Sequence, residues 1–207
     1  MSDVSIIPNF LGTEAANRLL EFAIDNADLF DVTRVGQIDG GNIDERIRRS
    51  FRLKEMGEFA PLIESAVNEA LPRVVLELGI RPFDVGFCET ELIAHGDRGF
   101  YQRHIDTVTG TSRSLFGDRV VSFVYYVHCR PKCFSGGNLR IYPMPTSTFA
   151  AMPLDIAPEH DTLVAFSSWL PHEVMPVTCP TASFEHSRFS VNCWVYQQSE
   201  PVAMQAG

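Results

Sequence analysis

Helices first and strands afterwards: the sequence predicts an α+β chain in which two amphipathic helices pack against the outside of a sandwich or barrel. Three observations carry this. Apolar residues recur at helical spacing in two early stretches. Beyond residue 80 the chain changes to short β-branched and aromatic runs punctuated by Gly and Pro. Finally, 207 residues, 45% of them hydrophobic and fifteen of them Phe, suffice for one core of ordinary size and not for two large domains. The expected organisation is one domain over 1–207, with 1–80 as helical support and 81–200 as the core that carries chemistry.

Taken in order, Thr13 stands where an N-cap belongs, and Leu19, Leu20, Phe22 and Ala23 then share one helical face, which predicts a helix over about 13–27. The run DVTRVGQIDGGNIDERIRRS at 31–50 is polar with three Gly and reads as an exposed loop or hairpin, a candidate lid. A second helix is predicted over 57–79, where Leu62, Ile63, Ala66, Val67, Ala70, Leu71, Val74, Val75 and Leu78 keep helical spacing; Pro72 is a point at which it would kink or divide. The strands expected after it are FDVGFCETELI, GFYQRHID, VVSFVYYV, NLRIYP, TLVAF and RFSVNCWVY.

A net charge of −9 sets the chain against phosphate backbones and anionic lipid, so neither nucleic acid nor a membrane is the expected partner. The N-terminus has no basic region followed by an apolar one, and no stretch approaches the length of a membrane span. Cys88, Cys129, Cys133, Cys179 and Cys193 are odd in number and irregularly spaced, which suggests reduced thiols and a cytoplasmic setting. Cys129 and Cys133, four apart, would make half of a zinc site, but no second pair stands at a matching spacing.

His104-Ile105-Asp106 places two potential ligands one residue apart, on one face of an extended strand. With a distant His they would form a 2-His-1-carboxylate triad that leaves coordination sites open on a metal. His172, in WLPHEV, is the candidate third ligand. Alone, His-x-Asp reads more readily as a surface His beside a turn Asp. Its context is more specific, since His172 lies between two apolar strand-like runs, as required if strands of opposite sheets meet at one ion. Arg188 opens the apolar run RFSVNCWVY, where a buried guanidinium is costly without an anion beside it; it either pairs with a carboxylate or snorkels to solvent from the strand start.

Together these motifs resemble the iron(II)/2-oxoglutarate-dependent dioxygenases, in particular the prolyl-4-hydroxylase-like branch that includes the hypoxia-inducible-factor prolyl hydroxylases. The resemblance covers about 83–197 and runs in order through Tyr101-x-x-His104-x-Asp106, Val124-Tyr125-Tyr126-Val127, Ser135-Gly136-Gly137-Asn138-Leu139, His172-Glu173-Val174-x-Pro176-Val177 and Arg188 followed by Trp194. It implies a double-stranded β-helix (jelly roll) with supporting N-terminal helices. It also implies His104, Asp106 and His172 as iron ligands, with Arg188 and Tyr126 clamping the distal carboxylate of 2-oxoglutarate. Tyr101 matches a cosubstrate-pocket tyrosine, and Leu139 and Trp194 match pocket-wall positions, although Leu139 reads equally as a core aliphatic. The implied cofactors are Fe(II), 2-oxoglutarate and O₂, with ascorbate as a supporting reductant. The implied reaction is hydroxylation of a prolyl or other amino-acid residue in a protein or peptide, with release of succinate and CO₂. The carboxylate of Asp106 separates this reading from related halogenases, which have a small residue there.

Two departures stand out. Fifteen residues separate His172 from Arg188, more than the family usually has, which puts His186 near Arg188 as a rival ligand. The loop after Asp106, within 107–119, is long and polar and would line the substrate entrance. Other readings are the same chemistry on a free amino acid or small metabolite, and a metal-binding jelly-roll module without oxygenase activity. A nucleic-acid base oxygenase is disfavoured by the charge balance.

Overall fold

The computed structural model describes residues 2–35, 41–107, 118–144 and 152–198. Along the chain it places β1 (Val4–Pro8), α1 (Thr13–Asp25), β2 (Asp31–Val32), β3 (Arg48–Arg49), β4 (Phe51–Leu53), α2 (Phe59–Leu78), β5 (Val85–His95), β6 (Phe100–His104) and β7 (Arg119–Val127). It continues with β8 (Ser135–Gly136), β9 (Leu139–Ile141), β10 (Leu154–Ile156), β11 (Thr162–Ser167), β12 (His172–Val174), β13 (Val177–Thr178) and β14 (Arg188–Gln197). A larger antiparallel sheet has the order β1-β11-β7-β14-β5-β4-β2, a smaller one β10-β9-β12-β6-β3, and β13 pairs with β8 apart from both.

Strand alternation sorts the side chains of the larger sheet onto two faces. Val121, Phe123, Tyr125 and Val127 of β7, with Phe189, Val191, Cys193 and Val195 of β14, pack against Ala16, Leu19 and Ala23 of α1 and Ile63, Val67, Leu71 and Val74 of α2. The other face brings Val124, Tyr126, Val164 and Phe166 against Leu139, Ile141 and Ile156 of the smaller sheet. Helices thus cover one face of the larger sheet, and the smaller sheet covers the other.

Several local expectations change. Thr13 is the first helical residue; Gly12 occupies the cap position and no side chain caps the end, because the chain enters at φ 83, where a Cβ is disfavoured. The first helix stops at Asp25, followed by a short turn at Ala27–Leu29. The second runs through Pro72 undivided and ends at Gly79 in the left-handed conformation, with the Ile80 N–H donating to the Val75 carbonyl. Residues 1–80 are not only helical support, since β1 extends one edge of the larger sheet, β4 and β2 the other, and β3 joins the smaller sheet. In the candidate lid, Val35 bridges Asn42 as in a hairpin, while 36–40 lie outside the described residues. Among the described residues no helix is long and apolar enough to cross a membrane.

Candidate active site

His104 closes β6 and His172 opens β12, and the two are cross-strand partners in the smaller sheet. Their ring centroids are 4.2 Å apart. The expectation that opposite sheets supply the ligands is therefore corrected: both histidines come from one sheet. Asp106 lies past the end of β6, not on it, and its N–H donates to the Ser168 carbonyl at 3.0 Å. That contact turns the chain back, so that Asp106 Oδ1 lies 3.5 Å from His104 Nε2 and Asp106 Oδ2 lies 3.5 Å from His172 Nε2. The three side chains offer donor atoms all within 4.8 Å of one another, a set that could hold a metal ion. Atoms bound at ~2.1 Å to one ion sit about 3 Å apart in a facial arrangement, so little closing movement is needed.

The surroundings prepare these atoms. Nδ1 of His104 lies 2.8 Å from the Gln102 carbonyl and Nδ1 of His172 lies 2.9 Å from the Leu170 carbonyl. A carbonyl only accepts, so each ring carries its proton on Nδ1 and turns a bare Nε2 toward Asp106. Burial drives the His172 pKa down to about 4, which keeps it neutral and ready to ligate. Burial pushes the Asp106 carboxyl up; the Ser122 hydroxyl, donating at 2.6 Å, and positive charge on His172 or His104 whenever either ring is protonated pull it down. Ser122 Oγ is also 2.9 Å from Ser168 Oγ. Tyr101 stacks on His104 at 3.6 Å between centroids, and Arg48 covers the outer face of Tyr101 at 4.5 Å.

Arg188 belongs to the facing sheet, at the start of β14. It is 1% exposed, which rules out snorkelling. Its Nε donates to the Gly137 carbonyl at 2.8 Å, and Nη1 lies 3.3 Å from both Ser190 Oγ and His95 Nδ1. The guanidinium sits 4.8 Å from the centre of the Tyr126 ring, on the same face of the sheet. Among the described residues, Arg188 Nη2, Tyr126 Oη and His95 Nε2 are buried without a hydrogen-bond partner. Arg188 Nη1 is a donor, so His95 Nδ1 accepts and the ring proton lies on Nε2. Burial first, then Arg188, keeps His95 neutral. The guanidinium's own Nη2 with two further buried donors fits an anion with several acceptor oxygens, as a carboxylate has.

The Ser135-Gly136-Gly137 motif has a steric reason. Both glycines have positive φ; a Cβ on Gly137 would lie 2.8 Å from Arg188 Cδ, and one on Gly136 would lie 2.3 Å from the Pro176 carbonyl oxygen. Leu139, 1% exposed, packs with Tyr126 in the core between the sheets. Trp194 pairs across the sheet with Ser122 and lies 4.1 Å under the Arg119 guanidinium, whose Nη1 approaches the Asp106 carbonyl at 3.4 Å. Arg119 is itself paired to Glu89 at 2.6 Å.

His186 is not with this group; it lies beside Cys129 and Cys133. Three other arginines are engaged elsewhere: Arg140 with Asp155 at 2.6 Å, Arg103 over Tyr142 at 4.0 Å, and Arg52 with Glu91 at 3.9 Å. Arg113 and most of the 107–119 loop lie outside the described residues. Sequence reading missed His95, Ser122, Ser168 and Arg119. Ser122 had a signal, as the one small polar residue in VVSFVYYV; His95 had none.

A prolyl hydroxylase from Trichoplax adhaerens, in complex with a peptide fragment of the hypoxia-inducible-factor oxygen degradation domain, superposes with TM-score 0.68 at 23% identity, over 94% of this chain and 84% of that one. A Pseudomonas putida prolyl-4-hydroxylase gives TM-score 0.67 at 22% identity, over 95% and 94%. These likenesses place the fold among antiparallel, jelly-roll-type structures. An uncharacterized PKHD-type hydroxylase of Synechocystis is 32% identical over 199 residues, covering 91% of this chain but 61% of its own length, so the chain spans about three fifths of that relative. The model of the 2OG-Fe(II) oxygenase superfamily matches residues 90–196. The chain belongs to that superfamily, whose members work with Fe(II), 2-oxoglutarate and O₂.

Proposed function

We propose that this chain is an Fe(II)- and 2-oxoglutarate-dependent dioxygenase, built on a double-stranded β-helix, that hydroxylates an unactivated C–H bond. Its substrate is a prolyl or other amino-acid residue in a protein or peptide, and its by-products are succinate and CO₂. The observation that carries this reading is the presence of two half-sites on sheets that share one buried core layer. One sheet offers His104, Asp106 and His172 with bare Nε2 atoms and an ionised carboxylate. The other offers Arg188 and Tyr126 with buried donors awaiting an anion.

In this proposal His104, Asp106 and His172 hold the iron, and Arg188 with Tyr126 holds the distal carboxylate of 2-oxoglutarate. When bound, the metal and cosubstrate supply oxygen activation coupled to oxidative decarboxylation. The chain's own part is placement and water exclusion. The backbone carbonyls of Gln102 and Leu170 fix the two rings, Ser122 fixes Asp106, and Val124, Leu139, Ile141 and Phe166 form an apolar core between the sheets. Tyr101 and Trp194 are assigned to the pocket walls. The peptide preference is supported by the prolyl hydroxylases among the structural relatives, one of them with a peptide bound.

The test is aerobic incubation with Fe(II), 2-oxoglutarate, ascorbate and a pool of proline-containing peptides, reading succinate and the mass gain of one oxygen. Succinate together with an oxygenated prolyl peptide is expected, and both fall sharply in Arg188→Ala at low 2-oxoglutarate. Succinate that forms only with free amino acids would move the substrate to small molecules. No succinate from iron-loaded protein with any substrate would overturn the oxygenase reading.

A further inference from the structure

We propose that Cys129, Cys133 and His186 form a second metal site, selective for Zn²⁺, that braces the two loops meeting behind Arg188. The two cysteines lie between β7 and β8, and His186 ends the short turn Phe184–His186 between β13 and β14. More than fifty positions separate them in the chain, yet the fold brings two Sγ atoms and an imidazole nitrogen within 4.8 Å of one another. The pairing of β13 with β8 brings the two segments together, and the three side chains then meet just outside that strand pair.

The donor set decides the metal. Two thiols and one imidazole are soft-to-borderline ligands that favour Zn²⁺ over the hard ions that carboxylates prefer, whereas His104, Asp106 and His172 contain no sulfur. The outer contacts fit a ligating role. Thr181 Oγ1 lies 2.7 Å from His186 Nδ1 and orients the ring, as partners of metal-bound histidines do. Glu185 Oε1, 3.7 Å from His186 Nε2, adds negative charge beside the site. The three ligands are half-buried, shielded but reachable by an ion from solvent. A Cys₂His set leaves one position for water, so the site is three-coordinate in protein ligands.

Its place in the fold gives it a purpose. His186 stands two residues before Arg188, and Cys133 stands four residues before Gly137, whose carbonyl accepts from Arg188 Nε at 2.8 Å. A metal joining His186 to the cysteines would tie together the two segments that position this contact. It also accounts for the long segment between His172 and Arg188, which carries the histidine to the cysteines.

Full-length protein, stripped of metal and kept reduced, is titrated with Co²⁺, whose thiolate charge-transfer absorption in the near ultraviolet reports sulfur ligation alone. The band is expected in the wild type and in a His104→Ala/Asp106→Ala variant, so failure of the iron reading leaves it intact. It is expected to vanish in Cys129→Ser/Cys133→Ser, to need at least about tenfold more Co²⁺ in His186→Gln, and to be bleached by Zn²⁺. Should the double cysteine variant not fold, the His186→Gln titration decides alone. Absence of a thiolate band in the wild type, a band unchanged in His186→Gln, or cysteines that form a disulfide and take up no metal would overturn the proposal.

Discussion

The two sheets that share the inner core layer treat their buried polar groups differently. On the smaller sheet each histidine is anchored through Nδ1 to a backbone carbonyl, and the neighbouring Asp106 is held by Ser122, so these side chains are oriented before anything binds. On the larger sheet Arg188 has partners for Nε and Nη1, but Nη2, Tyr126 Oη and His95 Nε2 have none among the described residues. A buried unpaired donor costs ~1–3 kcal/mol. The first arrangement is preorganised and the second is incomplete. The difference implies that the metal half can assemble alone, while the arginine half gains most from a bound anion.

Substitutions can break this contrast at either end. The largest effect is expected for Asp106→Ala, which removes the charge both histidines face; iron should no longer be retained, with turnover below detection, as read by metal analysis and succinate assay. Arg188→Ala should spare iron binding but weaken 2-oxoglutarate by ~2–5 kcal/mol, about thirtyfold or more, because a buried charged partner is lost. Ser122→Ala, which frees Asp106 from its hydroxyl donor, should reduce iron affinity by about 10- to 100-fold without altering the 2-oxoglutarate constant once iron is saturating.

Gly137→Ala sharpens the comparison. Its Cβ would fall 2.8 Å from Arg188 Cδ at φ +68, costing about 1–3 kcal/mol of strain, so the KM for 2-oxoglutarate should rise about tenfold while iron affinity stays unchanged. The smallest change is expected for Tyr126→Phe, where one hydroxyl donor is deleted; a loss of ~0.5–1.5 kcal/mol in 2-oxoglutarate affinity, measured by calorimetry under anaerobic conditions, would match its share of the clamp.

How far these features could be read in advance differs by element. The longer strands β5, β7, β11 and β14 were legible as β-branched and aromatic runs, as in VVSFVYYV, which is buried on both faces, Val124 and Tyr126 toward the smaller sheet and Phe123 and Tyr125 toward the helices. Short edge strands such as β2, β3 and β8 span two residues each and leave no period. The candidate residues His104, Asp106, His172, Arg188 and Tyr126 stood out because their motifs occur in order. His95 did not, because it depends on a cross-strand pairing with Arg188 that is 93 positions away in sequence. The same reason hides the third member of the cysteine cluster: spacing alone shows Cys129 and Cys133, while His186 arrives only through the fold. Asp106 was found for a reason that proved incomplete. Its approach to His104 comes from the backbone contact to Ser168 beyond the strand end, not from the pleat.

The central claim is that the metal half and the arginine half serve one cosubstrate. Its most direct test is anaerobic addition of Fe(II) and 2-oxoglutarate to purified protein, watching the visible metal-to-ligand charge-transfer band, with Asp106→Ala and Arg188→Ala alongside. The account predicts a band in the wild type, no band in Asp106→Ala, and in Arg188→Ala a band that appears only at much higher 2-oxoglutarate. Bound iron without any band in the wild type, or a band whose 2-oxoglutarate dependence ignores Arg188, would contradict it.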